Sequence, residues 1–164
     1  HLVVGIGNAA FIGGNRIVLA PAASRTVNVR RTFNLNPVSL GQEVVRFHSV
    51  FGIKDSTFAG LQTRRDNFDF AFYNGSGQLI SFIQFDNSTL DPLTQAPAQK
   101  IWRSSHNGAA LVKVDTGERF FYEVLMHLSV RINFRTNRWT VTLDGVPLPV
   151  GDPLAVQVEH RSAP

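Results

Sequence analysis

The chain has 164 residues, of which 43% are hydrophobic and 17% charged, a composition typical of one globular domain. It contains no cysteine, which excludes disulfides, thiolate metal sites and a cysteine nucleophile. The formal net charge of +4 comes mainly from scattered arginines, which allows attraction to anionic glycans or cell walls and disfavours a nucleic-acid role. No apolar run reaches about 18 residues, so no membrane-spanning helix is expected.

Four early segments predict strands, through short apolar runs between turn signals or through alternation of apolar and polar side chains: residues 2–6, 17–19, 27–35 and 45–53. In the last of them, Arg46 and His48 lie opposite the apolar side. A period of two indicates a half-buried strand, because successive side chains point to opposite faces of a sheet.

The clearest hairpin signal follows. Phe68, Phe70 and Phe72 alternate with polar or small residues, and a returning strand covers residues 79–85. The intervening Asn-Gly-Ser-Gly at 74–77 predicts a tight turn, because glycine and asparagine reach positive φ at little cost.

Beyond a predicted loop at residues 86–99, short strands are expected at 100–103 and 109–114, the second ended by Asp115-Thr116-Gly117.

The most regular alternation lies at residues 122–134, where every second residue is apolar: Tyr122, Val124, Met126, Leu128, Val130, Ile132 and Phe134. After a turn, Trp139 is in phase with Val141 and Leu143 and is predicted to be core, and Asp144-Gly145 signals a hairpin. With a terminal strand at 154–158, about ten to twelve strands and no helix predict an all-β, antiparallel two-sheet β-sandwich, one domain over residues 1–164.

Two segments also resemble a known superfamily. Asn-Phe-Asp-Phe-Ala-Phe-Tyr-Asn at 67–74 precedes the strand at 79–85, and Val-Arg-Ile-Asn-Phe at 130–134 leads into Asn-Arg-Trp-Thr-Val-Thr-Leu-Asp-Gly at 137–145. This pairing resembles the concanavalin A-like lectin/glucanase superfamily, specifically its laminin-G-like jelly-roll modules. The resemblance covers residues 43–148 and implies a secreted or cell-surface location, in a bacterium. It implies no single function, since lectins, hydrolases, lyases and protein-binding modules share the fold.

The sequence favours a non-catalytic binding module, and a glycan is the first expected ligand. Sugar binding needs an exposed aromatic platform with hydrogen-bonding groups beside it. Trp102 is the first candidate platform, with Arg103, His106 and Asn87 contributing, and a place for Trp102 in the core is the equal alternative. Tyr73 and Asn74 at the hairpin form the second candidate group.

Two alternatives remain open. The first is a structural or assembly module that packs against itself, as a homo-oligomer, or against another protein; the low charged content and the missing catalytic set motivate it. The second is a polysaccharide-active enzyme with an acid/base or anion site on two strands, made of Arg46, His48, His127 and Arg131. The paired carboxylates of a glycoside hydrolase are missing, because the glutamates stand singly.

No cofactor is assigned from the sequence. Calcium has candidate ligands in Asp66, Asp86 and Asp144, which lie at strand ends where oxygen ligands could gather, although aspartates also simply end strands. His1, in place of an initiator methionine, indicates a trimmed or processed chain. An N-terminal histidine can also chelate copper with a second histidine, for which His48, His106 and His127 are available, but trimming explains His1 more simply.

Overall fold

The computed structural model describes residues 32, 41, 43–55, 67–106 and 110–149. These residues contain strands and turns but no helix, as the sequence predicted. The predicted strands at 2–6, 17–19 and 154–158, all of the strand at 27–35 except residue 32, and the candidate residues His1 and Asp66 lie outside the described residues. The chain divides into two compact units, His1–Leu35 and Asn36–Pro164, and every described strand belongs to the second. The expectation of one domain over residues 1–164 stays a prediction.

Eight strands are described, in chain order β1 Val44–Gly52, β2 Asn67–Tyr73, β3 Leu79–Asp86, β4 Lys100–His106, β5 Leu111–Arg119, β6 Leu125–Asn133, β7 Arg138–Leu143 and β8 Val146–Pro147. They form two antiparallel sheets of four strands. The first sheet has the order β1-β6-β7-β8 and the second β2-β3-β4-β5. The predicted β-sandwich architecture is therefore confirmed for this part of the chain.

The first sheet is built on a long-range pairing. Val45 of β1 lies opposite Ile132 of β6, and the register continues to Gly52 opposite Leu125. Strict alternation turns one side of each strand inward, so that β6 and β7 bury a row of apolar side chains: Met126, Leu128, Val130, Ile132, Trp139, Val141 and Leu143. The prediction that Trp139 belongs to the core is confirmed.

Aromatic side chains join the two sheets. Phe51 of β1 packs against Phe70 of β2 and Phe85 of β3, with ring centroids 5.0 Å apart in both pairs. Phe47 contacts Phe72 edge-on at 5.4 Å. Each such pair contributes about 0.5–1.5 kcal/mol beyond its buried area. The alternating phenylalanines of β1 and β2 thus hold the sandwich together.

The predicted turns are confirmed at two hairpins, but the turn predicted at 115–117 is wrong. Turns at residues 74–77 and 144–145 connect β2 to β3 and β7 to β8. The predicted end of β5 at 115–117 is wrong, because these residues form a bulge within the strand. Lys100 pairs with Arg119 and Trp102 with Asp115, so β4 advances two residues while β5 advances four. The glycine of this bulge has a φ of 81°.

The strand predicted from Tyr122 begins instead at Leu125. Glu123 has a φ of 58°, which breaks the extended backbone, and its N–H donates to the Ile53 carbonyl at 2.9 Å. Val124 is consequently 48% exposed rather than buried. In the part of the chain that the structure describes, no helix is long and apolar enough to cross a membrane.

Candidate binding surface

A buried carboxylate, Asp86, connects β3, β4, β5 and the following loop. Its Oδ1 accepts the backbone N–H groups of Ser88 (2.8 Å) and Thr89 (3.0 Å) and the Ser88 hydroxyl (2.6 Å). Its Oδ2 accepts the Thr89 hydroxyl (2.7 Å), the Trp102 indole N–H (2.9 Å) and the Lys113 ammonium (3.4 Å). The residue is only 2% exposed, and every acceptor position is used within the protein.

The electrostatics of Asp86 follow from these contacts. Burial by itself would raise the pKa of Asp86, but the hydrogen bonds from Ser88 and Thr89 outweigh it and hold the pKa well below its usual range. The group is therefore an anion at all ordinary pH values. It anchors the loop after β3 to the sheet.

The predicted sugar platform, Trp102, belongs to this cluster. Its indole N–H is bonded to Asp86, and the ammonium groups of Lys113 and Lys100 lie 4.4 and 5.1 Å from its ring centroid. Lys100 is in turn paired with Asp115 at 2.8 Å. A sugar stacking on the half-buried indole would compete with these cation–π contacts. The surroundings of Trp102 therefore favour a structural role.

Arg103 does not share a face with Trp102. Trp102 pairs with Gln84, whereas Arg103 pairs with Ile83, whose side chain is in the core. Successive side chains of a strand point to opposite sides, so the two candidates are separated by the sheet. Burial also lowers the pKa of the Arg103 guanidinium.

The side chain of Asn87 lies inside the fold. It is fully buried, and its amide oxygen accepts a short hydrogen bond from the Tyr122 hydroxyl. Its backbone N–H donates to Asn67 Oδ1 at 3.2 Å. The Asn87 side chain is therefore not exposed to a ligand, contrary to the expectation from the sequence.

The remaining predicted ligand residues lie at the other end of the second sheet. Tyr73 is 52% exposed beside the β2–β3 turn, at the end of that hairpin opposite to Asp86. The side-chain Oδ1 of Asn74 accepts the backbone N–H groups of Ser76 and Gln78 in the turn, at 3.0 and 2.9 Å. His106 lies four residues beyond Trp102 on β4. The six predicted residues therefore do not converge on one site.

The two calcium candidates that the structure describes, Asp86 and Asp144, lie at the ends of strands in different sheets. Both oxygens of Asp86 accept N–H and O–H donors, and Asp144 Oδ1 accepts the His127 backbone N–H at 2.7 Å. Among the described residues, no group of three or more histidine, aspartate or glutamate side chains could hold a metal ion.

The outward side of the first sheet gathers side chains that the sequence had placed on separate strands. We name this surface the β1–β6–β7 face. The register aligns its residues in rows across the strands: Arg46 with Arg131 and Thr140, then His48 with Ser129 and Thr142, then Val50 with His127. Guanidinium, imidazole and hydroxyl groups thus stand side by side on a sheet whose other side is core.

Arg46 and Arg131 form a like-charge pair on this face. They are directly opposite each other on β1 and β6, and both are exposed. Within the described ranges, neither makes an ion pair with an acidic side chain. Like charges placed directly opposite destabilise a sheet by a few tenths of a kcal/mol to about 1 kcal/mol. This repulsion opposes folding and would be relieved by a bound anion.

Two histidines lie beside the arginine pair. The ring centroids of His48 and His127 are 5.9 Å apart, with an angle of 40° between the ring planes. Both side chains are exposed. The predicted grouping of Arg46, His48, His127 and Arg131 on one exposed surface is therefore observed, whatever chemistry it performs.

The surface is completed by Thr140, Thr142 and Ser129, which the sequence analysis did not predict as site residues. Their positions opposite the apolar residues of β6 and β7 were the available signal, since alternation alone assigns them to the outer side. Their neighbours on β1 could not be inferred, because β1 and β6 are distant in sequence.

A shallow cavity of about 180 Å³ lies at one end of the sandwich. It is lined mainly by apolar side chains, including Phe121, Val124 and Val146, with Arg119 and Asp144 at its polar side. Phe121 is 65% exposed and Val146 55%. The cavity lies apart from the arginine pair and has no cluster of reactive groups.

No protein-family model, curated protein or solved structure matches the chain. The resemblance to the concanavalin A-like superfamily, with the jelly-roll and laminin-G-like assignments, therefore stays a prediction. So do the cell-surface or secreted location and the bacterial source.

Proposed function

We propose that this protein is a non-catalytic binding module and that its β1–β6–β7 face binds a glycan. The observation that carries the proposal is the alignment of Arg46 and Arg131 beside hydroxyl groups and two imidazoles on an exposed, regular surface. Arginine forks pair with carboxylates and hydroxyls, and serine and threonine both donate and accept hydrogen bonds. Carboxylates and hydroxyls are the groups that a polysaccharide presents to such a surface.

The arrangement supports binding more than catalysis. The same four side chains could serve as acids and bases, but they lie on an open sheet face exposed to water. Acid/base enzymes gain from an enclosed site, where water is excluded and charges act strongly. The shallow cavity at the end of the sandwich lies elsewhere and lacks these groups.

An assembly module is the second candidate, and exposed apolar side chains favour it. Leu125 is 73% exposed, and Phe121, Val124 and Val146 are each about half exposed or more beside the shallow cavity. A group of exposed large apolar residues often marks a contact with another protein. On this account the cavity end, rather than the polar face, would be the functional surface.

A glycan array tests the first proposal. We expect the wild-type protein to bind a defined class of glycans, and the double variant Arg46→Gln/Arg131→Gln to lose that binding without a lower melting temperature. The variant Trp102→Phe keeps an aromatic ring but loses the hydrogen bond to Asp86, and it should still bind the glycan. A blank array with folded protein would contradict glycan binding. Self-association at high protein concentration, abolished by Leu125→Ser, would then support the assembly module.

A further inference from the structure

We propose that the ligand of the β1–β6–β7 face is an acidic polysaccharide, bearing sulfate or carboxylate groups, and that it is bound more tightly as the pH falls. This inference rests on the proposed function and specifies its ligand class and its regulation. Among the described residues, three features of the face carry it: an arginine pair without acidic partners, a histidine pair beside it, and a lack of aromatic rings for stacking.

The arginine pair points to an anionic ligand. The guanidinium groups of Arg46 and Arg131 repel each other in the free protein, since they are directly opposite on neighbouring strands. The nearby arginine Arg135 is different, because it is bonded to Glu43 at the edge of the sheet. An acid group between Arg46 and Arg131 would accept hydrogen bonds from both and remove their repulsion.

The histidine pair makes the face sensitive to pH. Histidine side chains gain a positive charge as the pH falls through about 7 to 5. His48 and His127 have ring centroids only 5.9 Å apart, so their two charges would repel each other unless an anion lay between them. Binding of an anion therefore favours protonation of both rings. By linkage, protonation equally favours binding.

The other charged groups around the histidines are arginines and an aspartate. Arg46 lies on β1 with His48, Arg131 lies on β6 with His127, and Arg138 begins β7 in the neighbouring row. Asp144, after β7, is the acidic group in contact, and its Oδ1 accepts the backbone N–H of His127. The dependence on pH thus comes from the two imidazoles.

The composition of the face favours a polysaccharide over a nucleic acid. In the described residues the face carries no tryptophan, tyrosine or phenylalanine, because the aromatic side chains of β1 and β7 point into the core. Single-stranded nucleic acids depend on such rings for base stacking. Neutral sugars also use them as platforms. Hydroxyl groups at Ser129, Thr140 and Thr142 suit the hydroxyls of a sugar chain between its acid groups.

Binding to four immobilised polymers tests the inference: a sulfated polysaccharide, polygalacturonate, neutral dextran and an oligothymidylate. Affinity is measured near pH 8 and near pH 5.5, two values between which histidine side chains in general gain positive charge. We expect at least one acidic polysaccharide to bind, about tenfold more tightly at the lower pH, and to weaken as salt rises. Dextran should not bind, and the oligothymidylate should bind more weakly than the polysaccharide.

Paired variants assign the effect to residues. Arg46→Gln/Arg131→Gln should lower the affinity about tenfold or more at both pH values, without lowering the melting temperature. His48→Gln/His127→Gln should keep most of the affinity at the higher pH and lose the gain at the lower one. Arg119→Gln and His106→Gln, which remove the same residue types from the second sheet, are the matched controls and should change neither.

The outcomes separate this inference from the proposed function. Equal binding of dextran and acidic polymers, lost in the arginine variant, would overturn the inference but keep a glycan-binding face. Binding that is independent of pH, or equally dependent on pH in the histidine variant, would overturn the switch. Binding of the oligothymidylate in preference to every polysaccharide, or of none of the polymers, would overturn both.

Discussion

Asp86→Asn should strongly destabilise this protein, although it changes only one atom. In the native structure each carboxylate oxygen accepts three donors. An asparagine side chain replaces one oxygen with an NH₂ group, so three donors lose their acceptor and face another donor. At about 1 kcal/mol for each net hydrogen bond, the free energy of unfolding should fall by about 3 kcal/mol. For a chain of this size that corresponds to a decrease in Tm of roughly 6–12 °C.

Denaturant unfolding followed by tryptophan fluorescence would measure this loss of unfolding free energy, since the Trp102 indole is hydrogen-bonded to the mutated group. Asp91→Asn is a matched control. Asp91 accepts the N–H groups of Leu93 and Thr94 in a similar turn, but it does so at the protein surface. We expect a much smaller effect there. If the two variants lose the same stability, then the burial and the contacts of Asp86 with β4 and β5 do not matter as argued.

The pH dependence of stability gives a second check on Asp86. Its pKa is lower in the folded protein than in the unfolded chain, where an aspartate titrates near 3.9. The carboxylate therefore contributes its full stabilisation above about pH 5, and this is lost progressively as the pH falls below about 4. The stability difference between wild type and Asp86→Asn should be constant at neutral pH and should shrink in acid. A difference that grows in acid would contradict the assigned direction of the shift.

Three further changes test other parts of the structure. Tyr122→Phe removes the donor to buried Asn87 and should cost about 1–2 kcal/mol of unfolding free energy in denaturant titrations. Gly77→Ala adds a Cβ with no atom within 4 Å but forces alanine to a φ of 79°. A loss of about 1 kcal/mol of unfolding free energy would therefore be purely conformational. Gly75→Ala, where φ is not positive, is its control. Trp102→Ala should lower stability by roughly 2–3 kcal/mol, and an unchanged Tm would show that its indole is a free platform.

Local patterns predicted much of the sandwich because one face of each strand is apolar. The phase of β6 and β7, the burial of Trp139 and the turns at 74–77 and 144–145 all follow from alternation and turn chemistry. The errors occurred where backbone conformation departs from the regular strand. Neither the positive φ of Glu123 nor the bulge in β5 leaves a signal in hydrophobic periodicity.

The candidate site was predicted in its residue types but not in its location. Trp102 and Asn87 looked available because they flank a polar loop, yet their side chains are bonded to Asp86 and Tyr122. Those contacts join positions 16 and 35 residues apart, which no local pattern reports. The partnership of Arg46 with Arg131 likewise depends on the pairing of β1 with β6.

The most direct test of the account is to locate the bound ligand by NMR. An acidic oligosaccharide is titrated into labelled protein while the histidine side chains and the two indole N–H signals are recorded. The account predicts that His48 and His127 shift and that their protonation increases, while the indole signal of Trp102 stays in place. Shifts centred on Trp102, with His48 and His127 unchanged, would contradict it and move the binding site to the second sheet.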